Sequence, residues 1–439
     1  MSAEDLDPES LFWLQAARER GSAIRREIAR LQARKFAFRL PTEVLAEIAA
    51  RAESHLGSLE ALPDAPEFFS DQVPHDERLD SLATVVYELV QLHKLLYLLS
   101  RVHSSRLPFE IVRPFEGLAA QLLGVDSASL MLRPGSEYGF SINSWGGESG
   151  RSLLPGAKAL ANSFCVFCPS AEVSNFGLFA ILGHELGHPV FQRRVVSVLA
   201  ASALGQAVVE VAPEGTDPEV QKKATDVLGR WAEEMFCDLC GVRLFGPAFV
   251  AAYRATLPII WQAEGTPGYP SSCIRLEGIS AGLKRWWEQP DLAPVLAAFP
   301  PLPPSQLTCP VHEDPALKIA AEALAPDGEF LERLLSITEA EIPSPSSCPG
   351  FAEHVISAGE RIELLIPPDP YLLAAEHEYQ SHELVAFAFL SAGIGRQRAN
   401  STWSEQFGWS EQRCSRAVSE LAMKGLEASD LRRRFGLES

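Results

Sequence analysis

Apolar residues recur at helical spacing along most of this chain. In the stretch 76–104, Leu79, Leu82, Val86, Leu89, His93 and Leu96 alternate at intervals of three and four, which lays one apolar stripe along a helix. Asp7 before Pro8 and Pro41 before Thr42 are helix-opening pairs, so residues 1–120 are expected to form an N-terminal helical region. On that stripe His93 reads as a hydrogen-bonded core histidine. Arg18, Arg20, Arg25, Arg26, Arg30, Arg34 and Lys35 are interrupted by Glu19 and Glu27 and read as a solvated helix face. From about residue 125 the period changes. Residues 129–132, 138–142 and 163–168, the last an aromatic and β-branched run stopped by Pro169, read as strands, with turns at Pro134-Gly135 and Gly146-Gly147. Helical spacing returns at Asn175, with Ser174 as an N-cap, and Phe179, Leu182, Leu186 and Val190 turned toward a core.

The adjacent face of that last helix carries His184, Glu185, Leu186, Gly187 and His188, an H-E-x-x-H sequence. Two histidines four apart share a helical face and can each give a ring nitrogen to one metal, with the glutamate beside the open coordination position. Gly183 and Gly187 would let another backbone come close. Pro189 offers no amide hydrogen to the Glu185 carbonyl and disfavours helical geometry at His188, so the helix is expected to kink or end there. A catalytic zinc needs a third protein ligand, and Glu234 and Asp238, four apart on a later helix, supply one. Glu234 can bind the metal, while Asp238 can accept the second ring N–H of a ligand histidine. Glu233, about a hundred degrees round the helix, is the competing ligand.

H-E-x-x-H followed on a later helix by E-x-x-x-D resembles the gluzincins, the thermolysin-like zinc metallopeptidases, over residues 160–245. The resemblance implies Zn2+ on His184, His188 and Glu234, with Glu185 as general base and Asp238 behind a histidine. It also implies an α+β fold, mainly helical, whose zincin-like core combines a small mixed sheet with two metal-binding helices. Were the strand 163–168 the sheet edge, it could take an extended peptide by strand addition. The interval from His188 to Glu234 is longer than in thermolysin, and the G-x-M-E-N element of aminopeptidases is absent. Tyr269 to Arg275 loosely resembles an H-P-P-x-x-x-R stretch of some bacterial gluzincin-like proteins, with Tyr269 in place of His. Either the Tyr269 hydroxyl or the Arg275 guanidinium could stabilise the oxyanion, with His312 a weaker candidate.

With 439 residues and 46% hydrophobic content, the chain can bury a sizeable core. The expected regions are residues 1–120, a metallopeptidase core at 121–300 and a C-terminal helical region at 301–439. A net charge of −19 argues against nucleic acid or anionic membrane binding by the surface as a whole. No apolar run reaches membrane-spanning length; residues 195–209 come nearest but contain Ser197, Ser202 and Gln206. Eight cysteines behind an acidic N-terminus without a signal-type segment fit a reducing, cytoplasmic setting. Cys165 with Cys168 and Cys237 with Cys240 read as strand and core residues rather than a second zinc site.

The segment 380–428 resembles a helix-turn-helix, with a glycine turn at Gly408 and a second helix bearing Arg413, Arg416 and Lys424. Residues 380–439 hold eight Lys/Arg and seven Asp/Glu, a balance of +1 that is compatible with DNA but equally with a packing or protein-interaction module. Two functions follow. One is a zinc-dependent peptidase acting on a protein or peptide. The other is a regulatory zincin-like module, active or silent, joined to a DNA-binding or partner-binding tail.

Overall fold

The computed structural model describes residues 8–33, 42–61, 75–102, 109–135, 141–144, 162–169, 175–199, 201–260, 262, 264–300, 313–373 and 377–435. They fall into two compact units. The first takes in the described residues within 1–107, 131–133 and 143–165 and contains α1 (Pro8–Ala33), α2 (Thr42–Ala61) and α3 (His75–Val102). Leu14, Ala17, Ile24, Ile28 and Leu31 of α1 are buried with Leu45, Ile48, Ala52 and Leu56 of α2 and Leu82, Leu89, Leu92 and Leu96 of α3. His93 is only partly buried at the margin of this core and lies 3.0 Å from the Arg20 guanidinium.

The second unit takes in the described residues within 108–130, 134–142 and 166–439. It holds α4 (Phe109–Leu123), a 3-10 helix (Phe176–Ile181), α5 (Leu182–Val190), a π-helical turn (Phe191–Val195), α6 (Ala201–Val211) and α7 (Pro218–Phe245). Then follow α8 (Pro247–Ile260), α9 (Ser272–Trp286), α10 (Ala293–Ala297), α11 (Pro315–Ala323), α12 (Glu329–Glu341), α13 (Phe351–Glu363), α14 (Ser381–Phe407) and α15 (Glu411–Phe435).

The α+β expectation is overturned: the fold is all-helical. Extended backbone among the described residues is confined to β1 (Ser129–Gly135), β2 (Ser141–Ser144) and β3 (Ser163–Pro169), short pieces that form no layer for the helices to rest on. Their order is β1-β3-β2, so β3 lies between the other two and offers no free edge for a peptide. The apolar face leading into the H-E-x-x-H helix meets helices instead. Phe176 of the 3-10 helix, Phe115 of α4, Phe245 of α7 and Phe389 of α14 form one aromatic cluster, with ring centroids 4.7–6.2 Å apart. Helical faces thus bury one another, and the three strands are a local detail.

α7 is the axis of this unit. Asp217 caps it by accepting the Glu219 N–H at 2.8 Å, Pro218 follows at the first helical position, and 16 of its 28 residues are buried. α5 lies against it at unusually close range. A Cβ placed on Gly183 would sit 2.9 Å from Gly241 Cα, and one on Gly187 would sit 2.8 Å from Cys237 Cα. On another side of α7, α9 covers Met235 and Leu239 through Gly278 and Gly282, again spaced four apart.

At the C-terminus, α14 and α15 are 27 and 25 residues long and are joined at Gly408, which adopts φ 64°. Cys414, Val418, Ala422 and Leu426 form the buried stripe of α15, while Arg413, Arg416 and Lys424 are exposed. Among the described residues no helix is long and apolar enough to cross a membrane. The stretch 195–209 belongs in part to a turn and in part to α6.

The close packing of α5 gives a direct test. Gly187→Ala should lower unfolding free energy by about 1–3 kcal/mol, because backbone rather than a mobile side-chain end must give way. Gly205→Ala, in α6 with open space around it, should raise stability by about 0.5–1 kcal/mol. Urea denaturation reads both; a Gly187→Ala protein as stable as the parent would show that the helix contact is not tight.

Candidate metal centre

The histidine helix forms in three windings. The chain enters as a tight 3-10 helix, becomes α-helical at Leu182 and widens to a π-helical turn after Val190. Pro189 neither ends the helix at His188 nor leaves it regular. The Phe191 N–H reaches both the Gly187 and His188 carbonyls, and Val196 N–H bonds to the Phe191 carbonyl at 3.0 Å, five residues back. The missing proline N–H is therefore absorbed by the following turn. Ser174, expected as the cap, lies outside the described residues.

The geometry of α7 determines which side chains meet the histidines. At about 100° per residue, Glu234 and Asp238 point between the face that receives α5 (Cys237, Gly241) and the face that receives α9 (Met235, Leu239). Both carboxylates enter the wedge between those helices. Glu233 emerges on the far flank of α5. Ser271 caps α9 by accepting the Ile274 N–H, so Arg275 in the first turn also reaches the wedge.

Each histidine is held by its own carboxylate. His184 Nδ1 lies 2.9 Å from Asp238 Oδ1, and His188 Nδ1 lies 2.9 Å from Glu233 Oε1. An ionised carboxylate only accepts, so both rings carry a proton on Nδ1 and keep the Nε2 lone pair for another partner. Both Nε2 atoms face Glu234: His184 Nε2 is 3.6 Å from one of its oxygens and His188 Nε2 is 3.9 Å from the other. The ligand atoms of His184, His188 and Glu234 all lie within 4.8 Å of one another. Tetrahedral zinc with bonds of about 2.0–2.1 Å needs ligand atoms about 3.3 Å apart, so a small inward movement would enclose an ion.

Charge favours a cation here. Glu185, Glu233, Glu234 and Asp238 face Arg275 and two histidines, so four carboxylates less one guanidinium leave three negative charges when the histidines are neutral. Burial pushes the Glu185 carboxyl above its ordinary value, and the charges of His184, His188 and Arg275 offset this only in part. Burial acts in the same direction on Asp238, but Arg275 and His184 outweigh it and hold that carboxyl below the usual range. For His188 burial lowers proton affinity, yet the Glu233 hydrogen bond and the neighbouring carboxylates bring it above normal. Protons and a metal would thus compete at the His188 ring.

The sequence-derived residues fare differently. His184, Glu185, His188, Glu234 and Asp238 come together, and Arg275 joins them in a role that was not anticipated. Its Nε and Nη2 each donate to Asp238 at 2.7 Å, a two-pronged pair in a buried setting. Tyr269 is half exposed in a turn whose backbone bonds to Thr266. His312 lies outside the described residues. Glu233, weighed as a ligand, instead orients His188. Tyr253 of α8 was not foreseen: it is buried, its ring lies 5.3 Å below the Arg275 guanidinium, and its hydroxyl lacks a hydrogen-bond partner. A tyrosine on an apolar helix gives no signal in one dimension; only the fold places it under a cation.

Glu234→Ala should abolish tight metal binding. Asp238→Ala, Glu233→Ala and Arg275→Ala should each weaken it by about 10–100-fold, since they hold the ligands rather than the ion. Chelator competition on the purified proteins measures this; unchanged affinity in Arg275→Ala would remove that residue from the arrangement. Comparison of the chain with protein families, with curated proteins and with solved structures finds no match.

Proposed function

We propose that this protein is a zinc-dependent peptidase of gluzincin type that hydrolyses peptide bonds of a protein or peptide. The observation that carries this reading is the meeting of His184, His188 and Glu234 with buried Glu185 beside them and a carboxylate behind each histidine. Bound zinc would supply a Lewis acid and bring the pKa of a coordinated water toward about 7.

The side chains then divide the remaining work. Glu185, buried beside the three ligands, takes the proton of the attacking water and passes it to the departing amine. Asp238 and Glu233 keep both imidazoles in the tautomer that presents Nε2. Arg275 neutralises Asp238 and keeps that carboxylate in place. With two of its nitrogens committed to Asp238, it is better suited to positioning than to receiving an oxyanion. His188 and Glu233 are only partly buried, so the cluster has a side open to substrate.

The regulatory alternative draws less support. Arg413, Arg416 and Lys424 are exposed, as DNA contact would require, but Arg413 already rests on the Trp409 ring at 4.3 Å. They sit on a helix of 25 residues paired with one of 27, whereas a helix-turn-helix presents short helices.

Glu185→Gln should retain metal and lose about 10²–10⁴-fold or more in cleavage of a mixed peptide substrate. Tyr269→Phe should cleave at the parent rate. Full turnover by Glu185→Gln would sink the mechanism, and a large loss in Tyr269→Phe would return the oxyanion role to that residue.

A further inference from the structure

A second group of metal-binding side chains lies apart from the histidine helix, at the start of α13 and α14. Cys348, His377 and Glu383 each place a ligand atom within 4.8 Å of the others. His377 Nε2 is 3.3 Å from Glu383 Oε2, close to the separation of about 3.3 Å expected for two ligands on tetrahedral zinc. We infer that these three residues form a second metal site, for a borderline divalent cation such as zinc, that clips the segment before α13 to the start of α14. The mixed sulfur, nitrogen and oxygen donors suit zinc or cobalt and disfavour magnesium or calcium.

Each ligand is held by its surroundings. Cys348 ends a short 3-10 helix (Pro345–Ser347), with its N–H on the Pro345 carbonyl and its carbonyl on the Phe351 N–H, both at 3.1 Å. The His377 ring stands edge-on to Tyr379 with centroids 4.6 Å apart. The Glu383 carboxylate accepts the Gln380 N–H at 2.7 Å, which sets its orientation in the first turn of α14. Capping accounts for Glu383, and an ion pair accounts for His377. The buried thiol beside both donates only one long bond, 3.7 Å to the Pro349 carbonyl, which leaves its sulfur lone pairs free for a metal.

Burial raises the Cys348 thiol to about 11, with the Glu383 charge adding to the effect. A bound cation reverses that balance: the sulfur–metal bond forms and the thiol proton leaves to solvent. Three protein ligands leave one position for water. The linkage joins parts of the chain 35 residues apart, from Cys348 to Glu383, where α13 and α14 begin their mutual packing.

The test uses the full chain loaded with zinc, freed of excess metal and assayed by atomic emission. This site is independent of the histidine helix, so the two can be separated. Two equivalents are expected for the parent, one for His377→Ala and one for His184→Ala. Cobalt-loaded protein should show a thiolate-to-cobalt charge-transfer band that persists in His184→Ala and disappears in Cys348→Ser. His377 is partly exposed, so its replacement carries the test even if Cys348→Ser folds poorly. Metal content unchanged by His377→Ala, or a charge-transfer band that survives Cys348→Ser, would overturn the assignment.

Discussion

Close approach of α5 to α7, permitted by Gly183 and Gly187, is the constraint on which the candidate centre depends. Ordinary helix pairs stand 8–10 Å apart, and larger side chains would hold these two near the upper end of that range. Here the α7 backbone lies 2.8–2.9 Å from where each Cβ would be, so Glu234 and Asp238 arrive at the histidine rings. α9 sets its own glycine pair, Gly278 and Gly282, against α7 and delivers Arg275 from the other side. One helix therefore serves as the common reference for both ligand sets, and relative position comes from backbone contact rather than from flexible side chains.

The electrostatics follow from this geometry. A centre that gathers four carboxylates, two histidines and one arginine is poorly balanced without a cation. Arg275 settles the part belonging to Asp238, with Tyr253 beneath it, and leaves Glu234 facing the two Nε2 atoms. The buried ion pair is of the kind that costs desolvation and gains specificity of arrangement more than stability. Its value in this setting is to keep Asp238 ionised, which in turn keeps the proton on His184 Nδ1.

Much of the centre was legible in one dimension because its logic is helical. His184 and His188, Glu234 and Asp238, and Gly183 and Gly187 are all pairs at a spacing of four, so periodicity alone put each pair on one face. What periodicity could not give was the angle between helices. That angle made Glu233 an orienting partner of His188, drew Arg275 to Asp238 and left Tyr269 in solvent. The fold class was misread for a related reason. The strands expected at 129–132, 138–142 and 163–168 meet extended backbone at 129–135, 141–144 and 163–169, with residues 138–140 outside the described ones, but the resemblance then supplied a sheet as the core, whereas the apolar face at Phe176 and Phe179 is satisfied by helices that carry no local sign of their partner.

The change of winding after Val190 has a mechanical meaning. Helical order is cooperative because successive turns share one ladder of hydrogen bonds, so fraying at one end is felt further along. At Pro189 that ladder lacks a rung, and from Phe191 it is rebuilt with a different span. Motion arising beyond the turn, in the connection to α6, therefore meets a discontinuity before it reaches the histidines. The two-turn segment that carries them behaves as a short block clamped to α7 along its side, insulated from the chain that follows.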